Sequence, residues 1–419
     1  METESSKIDK FVFELVMEDD IARKKQIAEK IFKIASKKGI VSQSIHDFYM
    51  ARGKGEFSGF TVPAINIRSL TYDLARAVFK VANRTHSGAF IFEIARSEIG
   101  YTNQSPIEYA SMILAAAIRE NYYGPIFIQG DHFQVNPTKF EDNPEKEIET
   151  LQFLIKDAIN SGFYNIDIDS STLVDFSKKD LKEQQFRNYD ICSKLTRFIR
   201  NIQPKGIQIS VGGEIGEIGH QNSTPEELDA FMLGLEEKLG NDCMGISKIS
   251  VQTGTSHGGI VLPDGSIAKI KLDFRALKIL SEIARKKFGL AGAVQHGAST
   301  LPPEAFHNFV ECETAEVHLA TQFQNMIFES KHFPTDLKNR IYKWLKINLA
   351  NEAKKGQTEE QFLYKTRKKG LGPFKKEIIQ LPSKTRRAIA NEIENKFEFL
   401  FRQLNVLNTM DLVKKYCNK

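Results

Sequence analysis

The sequence predicts an α/β protein: a (β/α)₈ TIM barrel with an N-terminal helical lead and a C-terminal helical extension. Three observations predict it. Between residues 56 and 330, short apolar or β-branched runs alternate with helical patterns eight times, an order that favours parallel βα units over hairpins. Helix starts between the runs are legible as Ser105-Pro106-Ile107-Glu108 and Thr224-Pro225-Glu226-Glu227, each patterned as a capping box with proline at the first helical position. Histidines and carboxylates recur where the runs give way to loops, the end at which such barrels carry their sites.

The elements follow in chain order. Residues 1–55 form the lead, with Ile21, Ile27, Ala28, Ile31 and Ile34 at helical spacing and glycines at 53, 55 and 59 ending it. Candidate strands are 61–67, 88–94, 125–130, 163–169, 206–212, 246–252, 291–296 and 315–319. Residues 331–419 change to lysine-rich helices, 334–355 and 384–404 among them, joined through Gly370-Leu371-Gly372-Pro373. The basic run from Lys365 to Arg387 is expected to be a solvated face.

Composition sets limits on function. A chain of 419 residues, 41% hydrophobic, holds a barrel of roughly 250 residues with room for additions. The net charge of +5 is too small to require a nucleic-acid partner and tolerates anionic small substrates. Four cysteines without a CxxC pair indicate neither a disulfide framework nor a thiolate zinc site. No apolar stretch approaches the ~20 residues of a membrane span, and the polar start lacks the order of a signal peptide. A soluble, cytoplasmic protein is expected.

Chemistry concentrates at strand ends. Asp131 and His132 close the run from Gly124, His257 closes the run from Ile246, and His296 closes the run from Leu290. Three neutral imidazoles at one mouth suit a zinc ion with an open position. Because side chains alternate along a strand, Asp131 and His132 are expected to diverge, one toward a metal and one toward substrate. A metal beside a carboxylate is what proton chemistry next to a carbonyl needs. His46, His86, His307 and His332 are read as structural.

These motifs resemble those of the class II ketose-bisphosphate aldolases. The likeness runs through Asp131-His132, Thr253-Gly254-Thr255-Ser256-His257-Gly258 and His296-Gly297-Ala298-Ser299, with Val62 to Ile67, Ile166 to Ser171 and Val211 to Gly216 matching the first, fourth and fifth strands. The resemblance implies reversible cleavage of a phosphorylated ketose to glycerone phosphate and an aldehyde, through a metal-stabilised enediolate. It implies Zn²⁺ on His132, His257 and His296, with Glu214 and Asp169 serving a second or alternate cation position, and Asp131 as the acid/base. It implies phosphate and substrate contacts from Asn66, Gly258, Gly297, Ser299 and Thr321. A homodimer or higher homo-oligomer is expected, with a sugar phosphate as the small-molecule partner and neither nucleic acid nor membrane.

The chain departs from the family at informative places. A last-strand run that is Lys-Ile-Asn-Val-Asp-Thr-Asp in the family reads Glu316-Val317-His318-Leu319-Ala320-Thr321-Gln322, so His318 becomes a substrate-facing or packing residue. A loop glutamate that moves protons corresponds to Asn222, with Glu217 or His220 as replacements. Arg96, after the second strand, is either a contact for a second anionic group or a surface ion pair. Two other readings stay open. Lys248, inside the sixth strand, would serve a Schiff-base aldolase or be a structural lysine reaching out of the wall. The run Gly130-Asp131-His132-Phe133-Gln134-Val135-Asn136-Pro137 also resembles the non-catalytic subunits of tagatose-bisphosphate aldolase, barrels that support a partner enzyme.

Overall fold

Eight parallel strands close into a barrel in a computed structural model that describes residues 4–216, 221–254, 262 and 272–417. The strands are β1 (Val62–Asn66), β2 (Ile91–Ala95), β3 (Ile126–Gln134), β4 (Asn165–Asp169), β5 (Ser210–Glu214), β6 (Lys248–Val251), β7 (Ala293–Gln295) and β8 (Glu316–Leu319). Closure is made by β8 on β1, where Val62 faces Glu316 and Ala64 faces His318. Buried apolar side chains pack the strands against the surrounding helices, as expected where helices cover a parallel sheet.

All eight expected strands exist with bounds moved at one or both ends, and two of the shifts have a clear cause. β5 begins at Ser210 rather than 206, because Gly206 sits at φ +84 in a turn that delays the strand. β3 runs past 130 to Gln134, with a bulge: Gly130 pairs Ile166 while Phe133 pairs Ile168, so one extra residue is inserted on β3. His132 takes up that residue at φ +40, a backbone region sparsely used by non-glycine residues.

The N-terminal segment comprises helices Glu4–Met17, Ile21–Lys37 and His46–Gly53. The first two pack on the barrel helix Pro106–Glu120. The third plugs the floor of the barrel: fully buried Arg52 donates to the Phe60 carbonyl at 2.6 Å and the Thr314 carbonyl at 3.2 Å, and Tyr49 Oη donates to Glu316 Oε2 at 2.6 Å.

Helix starts match the sequence reading once. Thr224 and Glu227 form the expected reciprocal cap. Ser105 makes no side-chain cap, because Glu108 is drawn away into a buried pairing with Lys24 at 2.6 Å and Lys375 at 2.8 Å. That carboxylate ties the N-terminal helices and the C-terminal segment to one barrel helix.

Among the C-terminal helices, Thr335–Asn348 lies within the expected 334–355 but stops at Asn348, while Ser383–Gln403 matches the expected 384–404 and packs on Thr71–Thr85. Between them the turn Arg367–Gly370 leans on the helix Arg96–Thr102 that follows β2, at the mouth of the barrel. The basic run is therefore not simply a solvated face. Arg386 pairs with Asp73 at 3.0 Å, Lys376 with Asp19 at 2.5 Å, and buried Arg367 donates to Asn325 Oδ1 at 2.6 Å. No helix among the described residues is long and apolar enough to cross a membrane.

Candidate active site

A cavity of about 960 Å³ opens at the carboxyl ends of the strands. Asp131, His132, His296 and His318 line it, with Asn66, Ser299 and Thr321 also on its wall. Its floor is set by the strand ends, and its rim by the loops that follow them.

Asp131 and His132 do not diverge as strand alternation predicts. The β3 bulge breaks the alternation and brings both to one place, with Asp131 Oδ1 3.8 Å from His132 Nε2 and 4.0 Å from His296 Nδ1. The His132 and His296 rings lie 4.1 Å apart, and the His296 and His318 rings are also 4.1 Å apart. His132 Nδ1 is 2.9 Å from Asp169 Oδ2 and 3.2 Å from Glu214 Oε2, and His296 Nε2 is 2.9 Å from Ser250 Oγ.

Electrostatics at this point are dominated by carboxylates. Burial alone would lower the His132 imidazole, but Asp131 and Glu214 with Asp169 hold it well above its ordinary value. Burial and the neighbouring Asp169 charge push Glu214 up to about 7. Asp169 goes the other way: burial opposes it, yet hydrogen bonds from His132, Ser171 and Gln134 hold it below its usual value. Gln134 Nε2 donates to Asp169 Oδ2 at 2.6 Å, a support the sequence reading missed.

Ligand atoms of Asp131, His132 and His296 lie within 4.8 Å of one another, and so do those of His132, Asp169 and Glu214. Imidazole and carboxylate donors at that spacing fit a divalent cation. His257 and Gly258 lie outside the described residues, as do Glu217 and His220. Asn222 is described, and its amide reaches Asp273 Oδ2 at 3.3 Å.

The other expected residues have definite partners. Asn66 Nδ2 donates to Glu98 Oε2 at 2.6 Å. Ser299 Oγ accepts from the Ala320 backbone at 2.7 Å, just before the helix Thr321–Glu329. Gly297 stands at φ +70, a turn that favours glycine.

His318 lies on β8 deeper than the mouth. Its Nδ1 is 3.0 Å from Glu93 Oε2 and 3.2 Å from Asp131 Oδ1, and its Nε2 is 2.7 Å from Glu316 Oε1. Burial would lower this ring too, but Glu93 and Asp131 hold it well above the usual value. Burial and Asp131 push Glu93 up to about 8.

Lys248 does not reach out of the wall. Its ammonium lies inside the barrel, 2.6 Å from Glu316 Oε1, 2.9 Å from Asp167 Oδ2 and 2.7 Å from Gln129 Oε1. Gly212 leaves the room: a Cβ there would stand 2.3 Å from Asp167 Oδ1. Burial opposes the charge, yet Asp167 and Glu316 hold the amine above its ordinary value, the reverse of what a Schiff-base lysine needs. Arg96 is also committed, donating to the Gln134 carbonyl at 2.7 Å and paired with Glu147. His86, His307 and His332 sit in outer pairs with Asp411, Glu311 and Glu392, away from the cavity.

Known proteins resemble the chain in family pattern and in fold. A family model described as fructose-bisphosphate aldolase class-II matches residues 53–402. No curated protein matches the chain. Similar solved structures include the fructuronate-tagaturonate epimerase UxaE from Cohnella laeviribosi, 12% identical with TM-score 0.60, covering 91% of this chain and 85% of that one. A probable tagatose 6 phosphate kinase from Sinorhizobium meliloti 1021 is 14% identical with TM-score 0.56, covering 85% and 99%. A fructose-bisphosphate aldolase from Campylobacter jejuni is 18% identical with TM-score 0.49, covering 86% and 93%. At these identities the first two carry the fold alone.

Proposed function

The chain belongs to the class II fructose-bisphosphate aldolase family, and from that premise we propose that it is a zinc-dependent aldolase cleaving a phosphorylated ketose to glycerone phosphate and an aldehyde. The observation that carries the reading is the convergence of Asp131, His132 and His296, with Asp169 and Glu214 behind His132, at the barrel mouth. His132 and His296 would hold the cation, with His257 as the third imidazole from the sequence pattern, and Asp169 and Glu214 would serve an alternate position. Bound there, the cation would supply the Lewis acidity that polarises the ketose carbonyl and stabilises the enediolate.

The chain's own residues do the rest. Asp131 takes the proton of the C4 hydroxyl onto a carboxylate oxygen as the C3–C4 bond breaks, and the electron pair of that bond stays with the triose half. His318 keeps Asp131 in place from below. Asn66, steadied by Glu98, presents its amide to substrate. Gly297, Ser299 and Thr321 form the phosphate end of the pocket, with Gly258 as the fourth contributor from the sequence.

The test is metal content and turnover together. His132→Ala and His296→Ala should each lose the metal and aldol cleavage, whereas Asp131→Asn should keep the metal and slow cleavage by about 10²–10⁴-fold. Unchanged metal content and turnover in both histidine variants would overturn the reading. Wild-type protein that stays metal-free after zinc supplementation would favour the non-catalytic barrel subunit instead.

A further inference from the structure

Asn66 ends β1 with its side chain on the cavity wall, and it is almost wholly buried, 1% exposed. The two polar atoms of its amide have unlike surroundings. Nδ2 donates to Glu98 Oε2 at 2.6 Å, whereas Oδ1 has no hydrogen-bond partner among the described residues. Buried polar atoms in folded proteins are nearly all paired, so an orphaned oxygen on a cavity wall needs a reason.

Glu98 fixes which end of the amide faces the cavity. Its carboxylate comes from the helix Arg96–Thr102 that follows β2, is buried, and accepts on both oxygens. Oε2 takes the Asn66 amide and the Ala95 backbone N–H at 2.8 Å, and Oε1 takes Arg68 Nε at 2.7 Å, with Tyr101 Oη at 3.5 Å. A carboxylate held by a guanidinium has only lone pairs to offer. Turning the Asn66 amide over would set Oδ1 against Glu98 Oε2 with no hydrogen between them.

The clamp is itself anchored. Arg68 Nη1 donates to Gln324 Oε1 at 3.0 Å, and the Arg68 carbonyl accepts from Gln104 Nε2 at 3.2 Å. Beside Asn66 in register on β2 stands Glu93, whose Oε1 is also buried without a partner. As a carboxylate Glu93 is another acceptor and offers Asn66 Oδ1 nothing. This stretch of wall therefore presents oxygen lone pairs to whatever enters the cavity.

We propose that Glu98 is a specificity-determining positioning residue: by holding Nδ2 it turns Asn66 Oδ1 into the cavity as a fixed acceptor, so the site selects a ligand that places a hydroxyl there. A ligand with fluorine, an ether or a carbonyl at that point leaves the buried oxygen unpaired, and a site of this kind discriminates against it for that reason. The proposal rests on the aldolase reading for the class of ligand, a polyhydroxylated sugar phosphate. What it adds is the polarity of the contact and the residue that sets it.

The experiment is calorimetric titration of the full-length, zinc-supplemented protein with D-mannitol 1-phosphate, which has the hydroxyls of a hexulose phosphate but no carbonyl, so it is not cleaved. It is compared with monofluoro analogues in which each hydroxyl in turn is replaced by an acceptor without a proton. Unaltered protein, Asn66→Leu and Glu98→Gln are titrated alike. Other groups in the site prefer hydroxyls too, so the ratio of the two dissociation constants is compared between proteins. At one position that ratio should fall by about three- to ten-fold in Asn66→Leu, the size of one neutral hydrogen bond. It should fall by at least about two-fold in Glu98→Gln, where an amide opposite Asn66 lets either end face the cavity. A merely structural role for Glu98 would weaken all the ligands together and leave every ratio unchanged. Thermal melting checks that each variant folds, and Glu98→Gln combined with Arg68→Gln, which also removes the paired cation, serves where the single substitution melts early. Ratios unchanged in Asn66→Leu would mean that a proton on Glu93 already satisfies Oδ1, and would overturn the proposal. Ratios unchanged in the Glu98 variants, or no binding of any of these ligands, would overturn it as well. Metal-dependent proton exchange on glycerone phosphate reports separately on the aldolase reading: exchange with unchanged ratios leaves that reading standing without this one, and changed ratios without exchange do the reverse.

Discussion

Lys248 Nζ and Glu316 Oε1 lie 2.6 Å apart in the interior of the barrel, both side chains almost completely inaccessible. TIM-barrel interiors are dominated by branched apolar residues, so a buried ion pair here needs every polar atom near it to be matched. Asp167, Gln129 and Tyr49 provide most of that matching, while Asp167 Oδ1 has no hydrogen-bond partner among the described residues. Lys248→Met removes the cation and leaves Glu316 and Asp167 buried without it, at a cost of about 3–5 kcal/mol. Denaturant unfolding should show that loss, with Glu316→Gln in the same chain recovering part of it. Borohydride reduction in the presence of glycerone phosphate should leave Lys248 unmodified, and a trapped adduct there would overturn the interior ion-pair role.

His318 is predicted to be a positioning residue for Asp131. Its ring stands 3.2 Å from the Asp131 carboxylate, and Glu93 and Asp131 raise its pKa against the effect of burial. A carboxylate base that loses a neighbouring cation holds its proton more tightly. In His318→Gln, the acid limb of the pH profile of kcat/KM should therefore move to higher pH. A purely structural role would lower kcat without moving the limb.

Asp169 is predicted to tune the cation site through His132. It is 2.9 Å from His132 Nδ1, and its own oxygens are occupied by Gln134 and Ser171. Partners of this kind fix the ring orientation and basicity of a metal ligand, and their loss typically costs about 10–100-fold in metal affinity. Asp169→Asn should show that drop in a competition titration with a chelator, and unchanged affinity would remove Asp169 from the site.

The sequence carried the barrel because each strand is a short apolar run between helix signals, a local pattern that survives folding. It carried the strand ends for the same reason: Asp169 and Glu214 are the last residues of β4 and β5. What it did not carry depends on registers and distant partners. The bulge at Gly130 and Phe133 exists only in the pairing of β3 with β4, so the shared direction of Asp131 and His132 was invisible to strand alternation. Glu108 looked like part of a helix cap because its two lysines, Lys24 and Lys375, are remote in the chain. Lys375, Lys376 and Arg386 looked like solvated charge because a basic run does not say which of its members will meet a remote carboxylate; the punctuation at Gly370 to Pro373 was the available sign that the segment folds back.

His46 is predicted to make stability fall as the medium becomes acidic. It opens the helix that plugs the barrel floor, is 3% exposed, and its Nδ1 has no hydrogen-bond partner among the described residues. Burial, with a smaller contribution from the charge of Arg200, holds its pKa down at about 4. In the unfolded chain the ring would titrate near about 6.5. Between those values the unfolded state binds a proton that the folded state refuses, so stability is lost as pH falls through this window, by at most about 3 kcal/mol. Buried carboxylates such as Glu214, raised to about 7, add an opposing slope over the same window, so the histidine is read from the difference between the variant and the unaltered protein. His46→Gln should flatten the dependence of the unfolding midpoint there, measured by denaturant titration at each pH. An identical slope in the variant and the unaltered protein would mean that the ring is hydrated or paired in solution and does not act as a buried neutral group.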